Sequence, residues 1–138
     1  MADEKSDDIQ VLFIEDDLTV AQMYKLKLEL DGYQVTMAKD GEEGVRLATE
    51  APPDLIFLDI RLPRMDGFAV LETLRANDRT CEVPVVILSN YGERELVDRG
   101  LKLGALEYLI KSQTTPSNLS EGIGGWVRYQ DESVLLDS

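Results

Sequence analysis

The sequence predicts an α/β domain, a five-stranded parallel sheet flanked by five helices, and three observations carry that prediction. Runs of consecutive apolar residues recur at 11–14 (VLFI), 55–58 (LIFL) and 85–88 (VVIL), the pattern of strands buried on both faces and so of a parallel sheet covered by helices. Stretches with apolar residues at helical spacing lie between them, and alternating strands and helices argue for a doubly wound sheet with right-handed crossovers. The runs also end abruptly in polar residues, most visibly in LIFLDIRLPRMDG, where residues 55–58 deliver the single carboxylate Asp59. In open α/β sheets the carboxyl ends of the strands face the ligand crevice, and Pro63, Met65, Asp66 and Gly67 read as a loop turning into a helix.

Taken in order, residues 1–8 are charged and small and are expected to form a disordered tail. The first strand, over 9–14, stops at Glu15, Asp16 and Asp17. From 18 to 31, Val20, Met23, Tyr24, Leu28 and Leu30 fit a helical period, and Gly32 is placed to end the helix. Residues 33–38 alternate more, with Val35 and Met37 against Gln34 and Thr36, as an edge strand with one wetter face does. Asp40 is the expected N-cap of a second helix, with Glu43 completing a capping box, Val45, Leu47 and Ala48 apolar, and Pro52 and Pro53 as the stop.

After the strand at 55–58, Phe68, Val70, Leu71 and Leu74 mark a third amphipathic helix that fades through Asn77 and Asp78. Pro84 stands at the first position of the fourth strand, where a missing N–H is tolerated, and the run ends in Ser89 and Asn90. A weaker helix over 93–103 carries Leu96, Val97, Leu101 and Leu103, is weakened by Gly100 and stops at Gly104. Residues 105–110 form the fifth strand, ending at Lys111. Thr115 and Pro116 are N-cap and first residue of a last helix with Leu119, Ile123, Trp126 and Val127 on one face. Gly122, Gly124 and Gly125 each cost that helix about 1 kcal/mol relative to alanine, so packing must hold it. The domain is expected over 9–130, with 131–138 a C-terminal tail.

A length of 138 residues suits one domain and leaves no room for a second of similar size. No apolar stretch approaches the roughly 20 residues that span a bilayer, and MADEKSDD lacks the basic and apolar parts of a signal peptide, so a cytoplasmic protein without membrane contact is expected. The net charge of −13 disfavours direct nucleic-acid binding and reads as solubility rather than as a docking surface for a basic partner. Cys81 is the single cysteine and histidine is absent, which excludes an internal disulfide, His-containing triads and the usual zinc sites.

The polar strand ends then become a set. Glu15 and Asp16 follow the first strand, Asp59 the third, Ser89 the fourth and Lys111 the fifth, and in a parallel sheet these ends converge. Three carboxylates in one crevice need a cation or raised pKa values to coexist. Oxygen ligands without His or Cys select a hard ion such as Mg²⁺. Each residue alone has a structural excuse, as a helix cap or a solvated charge. Together a carboxylate nucleophile, metal ligands, a hydroxyl and an ammonium are the parts for receiving a phosphoryl group.

VLFIEDD, LIFLDIRLPRMDG, VVILSN and ALEYLIKS, in this order and spacing, resemble the response-regulator receiver domain of two-component signalling, of the stand-alone chemotaxis-regulator type, over residues 9–130. The resemblance implies a flavodoxin-like receiver fold with strand order 2-1-3-4-5, an order taken from that class rather than derived from the residues. It implies Asp59 as phosphoacceptor, Asp16 binding Mg²⁺ directly, Glu15 mostly through water, and the backbone carbonyl of Arg61 as the third protein ligand. Ser89 and Lys111 would hold phosphoryl oxygens, and Tyr108 would be the aromatic switch that turns inward when Ser89 moves. Asp17 lies one position beyond the acidic pair and reads as a helix cap or outer acid.

The implied donor is a sensor histidine kinase or a histidine phosphotransfer protein. The implied output is a protein target on the last two helices and the strand between them, about residues 93–129, or onward phosphotransfer in a phosphorelay. Such a protein is a signalling switch, not an enzyme on other molecules, and catalyses its own phosphorylation and dephosphorylation. Two departures stand out. Ser112 follows Lys111 where the family has a cis-proline, so that bond is expected trans. Asn90 replaces the usual small residue and Tyr91 follows it; with Arg61 these groups are expected to rim the pocket and slow both phosphodonor access and attack by water. The alternatives are a pseudo-receiver that keeps the fold without phosphate and, more distantly, flavodoxin-like cofactor binding, against which the lack of a phosphate-cradling loop after the first strand counts.

Overall fold

The computed structural model describes the backbone of residues 9–137 and the side chains of residues 9–127; the tail expected at 1–8 lies outside the described residues. The five apolar runs form strands β1 (Gln10–Ile14), β2 (Gln34–Ala38), β3 (Leu55–Leu58), β4 (Val85–Ser89) and β5 (Glu107–Ile110). All neighbours pair in parallel, in the order β2-β1-β3-β4-β5. The helices between and after them are α1 (Leu18–Leu30), α2 (Gly41–Glu50), α3 (Gly67–Ala76), α4 (Arg94–Lys102) and α5 (Pro116–Asp137). A single 3-10 turn, Lys111–Gln113, follows β5.

The sheet is apolar on both faces because both are covered. On one side Leu12, Ile14, Ile56, Leu58 and Ile87 pack with Ala48 of α2 and Leu71 and Leu74 of α3. On the other, Val11, Phe13, Phe57 and Leu88 pack with Tyr24 and Leu28 of α1 and Leu119 and Ile123 of α5. Alternate residues of each strand serve the two cores, the period-2 geometry of a strand. β1 after its first residue, β3 and β4 are buried throughout, whereas β2 and β5, at the sheet edges, are only partly covered. An aromatic column along this face ties α1 to α5: Phe13 lies 5.5 Å from Tyr24 and 5.4 Å from Phe57, and Phe57 meets the edge of Trp126 at 5.7 Å. No helix is long and apolar enough to cross a membrane among the described residues.

Four expectations change. In α1 the buried stripe is Ala21, Tyr24 and Leu28; Met23 (49% exposed) and Leu30 (74%) face outward with Leu18 (67%) and Leu26 (63%). The helix is apolar on two sides, so periodicity alone does not select the inner one. Asp40 caps α2 by accepting the Glu43 N–H, but the Glu43 carboxylate reaches back to the Lys39 N–H rather than to that of the cap, widening the box by one residue. Gly100 is required by packing: a Cβ there would lie 2.6 Å from Ile87 Cδ1, so the missing side chain lets α4 lie close on β4. The backbone of α5 continues to Asp137, through the segment read as a tail; the side chains of Val134, Leu135 and Leu136 lie outside the described residues.

Candidate functional site

The register places the strand ends within two residues of level. Ile14 pairs with both Ala38 and Leu58, Leu58 with Ile87, and Ser89 with Ile110. The residues just beyond therefore meet at one edge of the sheet. Two of them continue its ladder by one bond, Glu15 N–H to Ala38 O (3.0 Å) and Asp59 N–H to Ile14 O (3.1 Å), which holds both backbones rigidly and buries both side chains. Asp16 is exposed. Asp17 turns the chain into α1, its carboxylate accepting the N–H groups of Thr19 (3.0 Å) and Val20 (3.2 Å), so it is a helix cap.

Asp59 is bound from both sides. Its Oδ1 accepts the Arg61 N–H (3.2 Å) and its Oδ2 accepts from the Lys111 ammonium (3.0 Å). The loop after it folds back tightly and enters α3 at Gly67, where a Cβ would sit 2.4 Å from the Asp59 carbonyl oxygen; Asp66 then caps the helix through the Ala69 N–H. The sequence Asp-Gly is what this return requires: a short cap followed by a residue without a side chain.

Lys111 lies between two carboxylates, its Nζ 2.5 Å from Glu15 Oε1 and 3.0 Å from Asp59 Oδ2. Glu15 Oε1 is fully buried and receives no well-aligned hydrogen bond, so the ammonium is its sole close counterion among the described residues. Burial pushes the Glu15 carboxyl up to about 7, the Lys111 ammonium pulling it down and the Asp59 charge adding to the rise. For Lys111, burial works against the charge, but the two carboxylates outweigh it and hold its pKa above the ordinary lysine value. Both answers to crowded acid are therefore present: one proton is retained more tightly, and one cation is built in.

Glu15, Asp16 and Asp59 each present a carboxylate oxygen within 4.8 Å of the others. The donors are all oxygen, one is exposed to water, and Glu15 Oε1 is short of partners. That set fits a small hard divalent cation that keeps several waters.

Around this floor, Ser89 is fully buried and its Oγ accepts the Tyr91 N–H (3.0 Å). The Arg61 guanidinium lies over the Tyr91 ring, 4.4 Å from its centroid. The Tyr108 hydroxyl, half-buried on β5, donates to the Tyr91 carbonyl at 2.5 Å. Asp16, Arg61, Asn90, Tyr91, Lys111 and Ser112 line the cleft, which Val20, Met23 and Tyr24 of α1 bound on the other side. The sequence-selected residues Glu15, Asp16, Asp59, Lys111 and Arg61 are thus brought together, with Ser89 and Tyr108 joined to them through Tyr91. No peptide bond among the described residues is cis, so Lys111–Ser112 is trans as expected.

Three features escaped the sequence reading. The Tyr24 hydroxyl donates to the Thr114 carbonyl (2.9 Å), anchoring the turn after Lys111 to α1. The Arg75 guanidinium donates to the carbonyls of Thr80, Cys81, Val83 and Gly104, tying the segment before β4 to the end of α4. Tyr91 is a junction, not only a rim residue. None has a local signal, since the partners are separated by up to 90 positions along the chain.

The profile of the response regulator receiver domain matches residues 11–123. The chain is 37% identical over 107 residues to a probable chemotaxis protein CheY of Rhizobium etli, covering 77% of this chain and 83% of that protein. It is 40% identical over 102 residues to the DNA-binding dual master transcriptional regulator RpaA of Synechocystis, covering 74% of this chain and 42% of that protein. It thus spans less than half the length of that transcriptional relative. Among solved structures it is similar to a CheY-like receiver domain protein from Methanospirillum hungatei (TM-score 0.83, 26% identity, 91% of this chain and 98% of that one). It is likewise similar to the receiver domain of the Francisella response regulator 1452 (TM-score 0.81, 32% identity, 88% and 98%).

Proposed function

The chain belongs to the response regulator receiver domain family, and from that premise we propose that it is a phosphorylatable switch whose phosphoacceptor is Asp59. Phosphorylation on aspartate with Mg²⁺ is general for the family. The observation that carries the assignment to Asp59 is its position: a buried carboxylate with one oxygen on Lys111 and the other on the Arg61 N–H, in one cluster with Glu15 and Asp16. A carboxylate oxygen of Asp59 attacks the phosphorus of a phosphohistidine in line, the P–N bond breaks, and the imidazole leaves with the electron pair.

Asp16, Asp59 and the Arg61 carbonyl would hold Mg²⁺ directly and Glu15 through water; when bound, the ion supplies positive charge to the transferring phosphoryl oxygens. Lys111 neutralises the acid floor beforehand and is placed to pair with an oxygen of the new acyl phosphate. Ser89 supplies a hydroxyl from the neighbouring strand end, and its displacement toward the phosphoryl group is the signal that reaches Tyr91 and Tyr108. Arg61, Asn90 and Tyr91 restrict the cleft against both small donors and water. Self-catalysed gain and loss of phosphate is the whole of the chemistry, so the protein is a switch and not an enzyme on other substrates.

The donor is a sensor histidine kinase or a histidine phosphotransfer protein, which must cover Met23 to bring a phosphohistidine into the cleft. Met23, Leu26 and Leu30, at i, i+3 and i+7, continue that exposed apolar surface along α1. The output is a protein contact on α4, β5 and α5, or onward phosphotransfer; direct nucleic-acid contact by this strongly acidic chain is disfavoured. Likeness to the Rhizobium etli chemotaxis protein, most of whose length is matched, supports a stand-alone cytoplasmic regulator over residues 9–130.

The test is intact mass after incubation with Mg²⁺ and acetyl phosphate. One phosphoryl group is expected on the wild type and none on Asp59→Asn. Equal gain by both, or none by the wild type, overturns the assignment.

A further inference from the structure

We propose that Tyr24 is a positioning residue for phosphoryl transfer: by holding the Thr114 carbonyl, its hydroxyl fixes the turn that aims Lys111 at Asp59 and at the incoming phosphoryl group. The proposal rests on the assignment of Asp59 as phosphoacceptor and adds a residue of α1 to the machinery around it. Lys111 leaves β5, yet its ammonium reaches Asp59 at the end of β3 and Glu15 at the end of β1, two and three strands away. Neighbouring strands lie about 4.8 Å apart, so this four-carbon side chain has to run back across the sheet. The direction of the backbone at Lys111 therefore decides whether Nζ arrives.

The turn itself does little to set that direction. Lys111–Gln113 is a single 3-10 turn, and residues 111–114 (KSQT) include no proline to fix a backbone angle. Thr114 closes the turn only on its own stretch of chain, its N–H donating to the Lys111 carbonyl (3.2 Å) and its hydroxyl to the Ile110 carbonyl (2.8 Å). Among the described residues, the Tyr24 hydroxyl is the sole group of an earlier helix or strand to hydrogen-bond residues 112–114, donating to the Thr114 carbonyl at 2.9 Å. Tyr24 is firmly held in turn. It is 2% exposed, and its ring stacks 5.5 Å from that of Phe13, two residues before Glu15. The phenol thus sets the Lys111 turn against the strand that delivers one of the two carboxylates Lys111 holds. Burial keeps the Tyr24 pKa above the ordinary tyrosine value, the Lys111 charge opposing it, so the hydroxyl remains a donor at neutral pH. That hydroxyl is committed to Thr114 and acts on the reaction through Lys111.

The test uses the full chain carrying Tyr24→Phe, which keeps the stacked ring and removes the hydroxyl. In metal-free, unphosphorylated protein, Lys111 should react severalfold faster than in the wild type with an amine-acylating reagent, read by peptide mass spectrometry, while exposed Lys39 and Lys102 are unchanged. With Mg²⁺ and saturating acetyl phosphate, the phosphorylation rate constant from intact mass should fall about two- to tenfold, the worth of one hydrogen bond. In a Lys111→Met background the same substitution should slow phosphorylation no further. Unchanged Lys111 reactivity, an unchanged rate, or equal slowing in both backgrounds overturns the positioning role and leaves the phosphoacceptor assignment standing. If the wild type gains no phosphoryl group on Asp59, the assignment falls and the positioning role with it.

Discussion

Helix α1 lines the crevice and α4 follows the loop, Asn90 and Tyr91, that lines its other side, and the two helices are held in opposite ways. α1 is capped by the Asp17 carboxylate, buries Ala21, Tyr24 and Leu28, and is tied to the rest of the fold at its middle and at its carboxyl end. Tyr24 reaches the Thr114 carbonyl, and the Ser120 hydroxyl of α5 donates to the Asp31 carboxylate at the far end. α4 has no side-chain cap, Gly100 is its one buried residue, and Leu96 and Leu103 are only partly covered. Its firm attachment is at the carboxyl end, where Arg75 grips the Gly104 carbonyl at 2.8 Å. Few buried contacts and an uncapped start make the amino end of α4 the low-stability side of the crevice. On the proposed function the difference would separate two tasks: a rigid helix would present a fixed apolar surface to a donor, and a helix anchored at one end would respond to the phosphoryl group.

The comparison can be broken most severely at Tyr24. Tyr24→Ala removes a buried ring stacked on Phe13 and a hydrogen bond to Thr114, and should cost about 3–5 kcal/mol in urea denaturation. Leu101→Ala, on the exposed side of α4, should cost within about 0.5 kcal/mol. Equal losses would mean that the two helices are equally anchored.

Glu15, just before α1, gives the next largest effect. Its carboxyl keeps its proton to about 7 in the folded protein and releases it near the ordinary carboxylate value when unfolded. The folded state thus binds more protons across that window, and metal-free stability should fall as pH rises through it. Glu15→Gln should flatten the slope of melting temperature against pH between 4.5 and 7; an unchanged slope would remove Glu15 as its cause.

A sharper contrast comes from the outer face of α1. Leu26→Glu should slow phosphotransfer from a histidine phosphotransfer protein by about tenfold, the size of a moderate interface contact, and leave phosphorylation by acetyl phosphate unchanged. An equal change with both donors would locate the defect in the cleft. The smallest effect is expected at the α4 side of the rim: Asn90→Ala should speed phosphorylation and dephosphorylation severalfold, measured by the decay of labelled acyl phosphate. Unchanged rates would show that Asn90 does not shield the site.

How much of this was legible follows from what each feature depends on. β1, β3 and β4 were readable because a strand buried on both faces leaves no room for polar residues, so its length and its end are written in the chain. The caps Asp17, Asp40 and Thr115 were readable because a cap bonds within three residues of itself. The inner face of α1 was not, since Met23 and Leu30 are as apolar as the residues that pack. Gly100 was read as a weakness of α4 because its neighbours Ile87 and Tyr108 belong to other elements.

By itself, then, the sequence determined the fold class, the strand ends and the polar residues that stand at them, Glu15, Asp16, Asp59, Ser89 and Lys111, all properties of composition and short-range pattern. The tertiary structure alone decided that Lys111 is shared between Glu15 and Asp59, that Arg61 lies on Tyr91, and that Tyr91 carries the bond to Tyr108. Those contacts depend on distances of a few ångströms between side chains on different strands and loops. Sheet register and the close approach of loops set such distances, and neither is encoded in any local stretch of residues.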